Sequence, residues 1–72
     1  MEDGIKDIQN TVWKIYREYQ ATHDMVNYNA QAKELCNKYH GQPILGSFCA
    51  NLVVTWAPVI NQLAEDYRNG AT

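Results

Sequence analysis

A small all-α domain, a three-helix bundle with antiparallel sequential helices, is the fold this sequence predicts. Three observations predict it. Apolar residues recur at steps of three and four in three separate stretches. The gaps between those stretches are short, which makes each helix the antiparallel neighbour of the next. The composition, 46% hydrophobic and 11% aromatic, is rich enough for a core and too rich for a disordered chain. At 72 residues the chain reads as one helical domain, residues 1–72, near the small end of what folds alone.

The first helix is expected over about 5–20. Its stripe is Ile5, Ile8, Val12, Ile15, Tyr16 and Tyr19. Asp3 is its candidate N-cap, and Glu2, Asp3 and Asp7 suit the positive end of the helix dipole. Trp13 falls outside the stripe, about 110° from its centre at 100° per residue.

The second helix is expected over about 24–39, capped by Thr22 or Asp24 and followed by Gly41 as a C-terminal glycine. Met25, Tyr28, Ala32, Leu35, Cys36 and Tyr39 form its stripe, and Val26 lies off it. Glu34 and Lys38 stand four apart in the favourable order for a helical ion pair.

The third helix, expected over about 44–68 with Ser47 as candidate cap, is the longest. Its stripe is Leu45, Phe48, Cys49, Leu52, Val53, Trp56, Val59, Ile60, Leu63 and Tyr67, with Val54 off it. Pro58 lies inside. A proline there either breaks the helix or kinks it. The stripe keeps its phase across the proline, which favours one helix kinked at Pro58, with the ring on the solvent side.

Eight acidic and six basic residues leave a formal charge of −2, with the basic residues scattered. Nucleic-acid binding usually needs a clustered basic surface, so it is disfavoured. The second helix, with Asn27, Asn29, Gln31, Lys33 and Asn37, is the best available recognition helix for a small DNA-binding regulator. No apolar run approaches the roughly 18 residues of a bilayer span, and the acidic start lacks a signal-peptide core, so no membrane is expected. Two cysteines are too few for a disulfide framework, which makes the cytoplasm the default.

Little chemistry is written in the motifs. Cys36 and His40 are spaced to face one metal ion from a helix, and Cys49 and His23 could complete four ligands. Both cysteines also sit on core stripes, where free thiols are ordinary. His23 falls about 25 Å from His40 at 1.5 Å per residue. Cys36 and His40 could also be drawn as a nucleophile and base, but so small a bundle offers little room for a pocket. The expectation is a non-enzyme with no cofactor and no metal. Trp13, beside Tyr16 and flanked by Gln9 and Gln20, has the composition of an interface hot spot, for a homodimer or another protein partner. The competing reading is that a third helix covers it.

The spacing Val12-Trp13, Tyr16, Tyr19, Asp24, Tyr28, Glu34-Leu35, Lys38-Tyr39, Phe48, Leu52, Ile60 and Leu63 resembles a group of short helical proteins. These are carried by bacteriophages and integrated mobile elements of Gram-positive bacteria, and the likeness covers nearly the whole chain. Pro58 departs from it. The resemblance implies a small accessory protein made inside a bacterial cell, one that binds or inhibits a host protein. It assigns no catalytic residue.

Overall fold

The computed structural model describes residues 1–70. These residues form three helices: α1 (Glu2–Thr22), α2 (Met25–Lys38) and α3 (Pro43–Arg68). Each touches both of the others. The linkers are two and four residues long, so the chain runs up, down and up again. The 26 residues of α3 extend about 39 Å at 1.5 Å each, which is nearly the whole 41 Å long axis of the molecule. The predicted bundle is the fold observed.

The helix ends differ from expectation in instructive ways. α1 begins at Glu2, with Met1 as N-cap, so Asp3 lies in the first turn and caps nothing by its side chain. Both acids there still face the positive end of the dipole. α1 stops at His23, which takes the left-handed conformation at φ 55° and donates its backbone N–H to the Tyr19 carbonyl. Of the two candidate caps on α2, Asp24 is the one used, accepting from the Asn27 N–H at 3.0 Å. α2 closes on Tyr39, and Gly41 sits two residues further on in the turn. Pro43 opens α3 from its first turn, where its missing N–H costs nothing, so the start precedes Ser47 and the cap is Gln42. Through Pro58 the helix is unbroken, and the ring is exposed.

Two clusters make the core. Ile8, Val12, Leu35, Tyr39, Leu45 and Cys49 pack at the end where α3 begins. Ile15, Tyr19, Tyr28 and Ile60 pack at the end where α1 turns into α2. Trp56 lies against both clusters and joins them. Every buried residue lies on a predicted stripe. Full burial of one aliphatic side chain contributes about 1.5–3 kcal/mol, so a core this small leaves little margin.

α3 departs most from its expected stripe. Only Leu45, Cys49 and Ile60 are buried; Val59 and Tyr67 are 46% and 51% exposed. The ten-residue stripe is wider than two neighbouring helices can cover. Where Ile60 faces the core, Val59 is turned 100° away toward the edge. Tyr67 lies past the core and covers His23 instead, the two rings stacked at 3.8 Å.

α3 is also long and apolar enough to cross a membrane, by length and composition alone. It carries no Asp, Glu, Lys or Arg from Pro43 to Ala64. The expectation that no stretch reaches this length is thus corrected. Asn51, Thr55 and Asn61 interrupt the apolar run in the sequence without lowering its average enough to matter.

Polar contacts tie α1 to α2 at both ends. Asn27 donates to the Glu18 carboxylate at 3.2 Å. Lys38 reaches across to Asp7 at 2.9 Å instead of pairing with Glu34 on its own helix. The Tyr39 hydroxyl donates to the same Asp7 oxygen. Together these donors, Tyr39 first and Lys38 second, hold the Asp7 carboxyl below the ordinary carboxylate value.

Candidate functional site

Four aromatic and aliphatic side chains come together where α1 runs beside α3. Trp13 and Tyr16, three apart on α1, share one flank of that helix. Their ring centroids lie 5.3 Å apart and tilted. Trp56 approaches from α3, 4.9 Å from Tyr16 and 6.5 Å from Trp13. Thr55 and Val59 complete a shallow groove with them. Val59 stands three residues after Trp56, so both project on one side of α3.

Trp13 is 52% exposed even so. The expectation that it falls outside the core stripe is met, and so are those for Val26 and Val54, both exposed. The alternative, a third helix wrapping over Trp13, is met only in part. α3 supplies Trp56 beside the indole and leaves about half of Trp13 exposed. Tyr16 is half-buried beneath the pair. Gln9 and Gln20 are exposed on α1. Trp13 is thus gathered with Tyr16 into one aromatic site, and neither glutamine is in the set that lines the groove.

Sequence reasoning missed the α3 half of the site. The helical period puts Trp56 and Val59 on the core stripe and gives Thr55 no role. The available signal was the width of that stripe: ten apolar positions exceed what a helix in a three-helix bundle buries. The groove carries no acid, no base and no thiol. Its lining of two tryptophans, a tyrosine, a threonine and a valine is suited to apolar contact with a few hydrogen bonds.

The other candidates are dispersed. Cys36 and Cys49 do meet, with sulfurs 3.6 Å apart. His23 lies at the opposite end of the bundle, against Tyr19 and Tyr67. No group of three or more His, Cys, Asp or Glu side chains suited to a metal ion forms among the described residues. On α2, Asn27 is engaged at the helix cap and with Glu18, and Gln31 is half-buried; Asn29, Lys33 and Asn37 remain exposed. One cation between two exposed amides is a weak phosphate-binding face.

Comparison with protein-family models, with curated proteins and with solved structures finds no match to this chain.

Proposed function

We propose that this chain is a non-enzymatic protein-interaction module whose docking face is the groove of Trp13, Tyr16, Trp56 and Val59. The observation that carries the reading is the half-open indole of Trp13, held by Tyr16 and Trp56. Tryptophan and tyrosine dominate interface hot spots because they offer large contact area at low cost in conformational entropy. Val59, which lines the groove, is 46% exposed.

A protein surface suits this face better than a bilayer. α1 and α2 pack against α3, and they bring Lys14, Arg17, Lys33, Glu34 and Lys38 with them. Each charge carried to the bilayer centre would cost about 2.5–3.5 kcal/mol on insertion scales. Two cysteines are too few for a disulfide framework, and we place the protein in the cytoplasm. Together with the resemblance to phage and mobile-element proteins, this makes a host protein the favoured partner, or else a second copy of the chain. A small DNA-binding regulator is the reading set aside, because the net charge is −2.

Two measurements test the proposal. Light scattering on the purified chain across a range of concentrations reads self-association. Retention of proteins from a Gram-positive bacterial lysate reads a foreign partner. The module should show one or the other, and Trp13→Ala should abolish it while leaving the helical circular dichroism unchanged. A chain that is strictly monomeric and retains nothing would refute the reading.

A further inference from the structure

Cys36 and Cys49 stand thirteen residues apart on different helices, and their sulfurs are 3.6 Å from one another. Cys49 is fully buried in the core, among Leu35, Tyr39 and Leu45. Cys36 is only half-buried. It borders an open groove between the end of α2 and the start of α3, along with Asn37, His40, Pro43, Ser47 and Ala50. One cysteine therefore borders an open groove, and the other is enclosed by the core and lies against the first. An S–S bond is about 2.0 Å long, so the sulfurs close by about 1.6 Å when they bond.

We propose that Cys36 and Cys49 form a dithiol oxidation site that a low-molecular-weight disulfide converts to an intramolecular disulfide linking α2 to α3. In the first step Cys36 loses its proton to solvent, and its thiolate attacks one sulfur of the small disulfide. The small S–S bond breaks, one small thiolate leaves and takes up a proton, and a mixed disulfide remains on Cys36. In the second step Cys49 loses its proton, and its thiolate attacks the Cys36 sulfur. A second small thiol leaves. The protein dithiol has been oxidised by two electrons, and one small disulfide has been reduced to two thiols.

The order of events follows from the surroundings. Only Cys36 is reachable from outside, so the first bond forms there. Burial pushes the Cys49 thiol up, which leaves little thiolate at neutral pH. Proximity compensates in part, because the target sulfur is already beside it. Ring closure is the slow step, and the mixed disulfide accumulates before it.

The test is incubation of the reduced chain with oxidised glutathione, followed by intact mass spectrometry and peptide mapping. The wild-type chain should first gain one glutathionyl group, then lose it and settle two hydrogens below the reduced mass, with Cys36 joined to Cys49. Cys49→Ala should stop at the adduct. Cys36→Ala should stay unmodified while folded. A wild-type chain that stays reduced, halts at the adduct, or links only to a second copy would overturn the proposal. The wild-type time course decides the matter even if either variant fails to fold.

Discussion

Trp13 and Trp56, forty-three residues apart in sequence, bring their indoles to 6.5 Å with planes tilted by 60°. The pair spans the seam between α1 and α3, yet only Trp56 is integrated with the core; Trp13 rests on its outer side. The two tryptophans should therefore respond differently to truncation. Trp13→Ala removes aromatic contacts worth about 0.5–1.5 kcal/mol and the covered half of an indole that lies outside the core clusters. Trp56→Ala removes the side chain that joins both core clusters, at a cost of about 3–5 kcal/mol. Thermal unfolding followed at 222 nm should show a small shift for the first and collapse, or a large shift, for the second. Equal shifts would mean that Trp13 is part of the core.

A second prediction concerns the register of α3 beyond its proline. Ile60 is 1% exposed and Val59 is 46% exposed. Ile60→Ala should cost about 2–5 kcal/mol, and Val59→Ala no more than about 0.5–1 kcal/mol. In a domain this small the first loss approaches the whole stability. Urea unfolding of the two variants reads the difference, and a reversed order would mean that the helix is rotated after Pro58.

Glycine 46 gives a third. In a helix interior, replacing glycine by alanine gains about 1 kcal/mol on propensity alone. Here a Cβ at Gly46 would stand 2.8 Å from the carbonyl oxygen of Tyr39, which is backbone and accepts a hydrogen bond from the Gln42 N–H. Neither can yield without moving the α2–α3 turn. Gly46→Ala should therefore destabilise the fold, by about 1–3 kcal/mol as for other overpacked sites. A variant that melts at or above the wild-type temperature would show that the turn has slack.

The contact of Asp7 with Tyr39 and Lys38 sets a pH dependence. Folding lowers the Asp7 pKa below its ordinary 3.8, so the unfolded chain binds the proton more readily. The contribution is fully present above the ordinary value and is lost as the pH falls through the folded one. Tyr39 and Lys38 are shifted upward, chiefly by the same hydrogen bonds, so their share is present below their ordinary values and fades in strong alkali. The difference in melting temperature between wild type and Asp7→Asn should be level across neutral pH and shrink below about pH 4. A difference that stays constant into acid would mean that the contact contributes nothing through charge.

Much of this fold was legible because the helical period is a local property. Ile8, Val12, Ile15 and Tyr19 lie in one line on α1, and nothing beyond their spacing was needed to see it. Asp24 was readable for the same reason, since a cap bonds its own helix three residues on. What could not be read is set between helices. Lys38 has Glu34 at the right spacing on its own helix and Asp7 across the seam, and only the packing chooses. Val59 and Ile60 are both strongly apolar, and a difference of 100° around α3 sends one outward. The candidate site was half legible: Trp13 and Tyr16 from the stripe they leave or edge, Trp56 and Val59 not at all. Cys36 and Cys49 were recognisable as core residues, while their meeting depends on how α2 docks on α3.

The central claim is that the Trp13 face binds protein. It is tested most directly by immobilising the wild-type chain, Trp13→Ala and Val26→Ser side by side and comparing what each retains, from lysate and from a solution of the free chain. Val26 is 80% exposed on α2, a helix that contributes nothing to the groove, and so controls for the loss of an apolar surface residue as such. The account predicts that wild type and Val26→Ser retain the same protein and that Trp13→Ala, folded and helical, loses it. Equal retention by all three would contradict it.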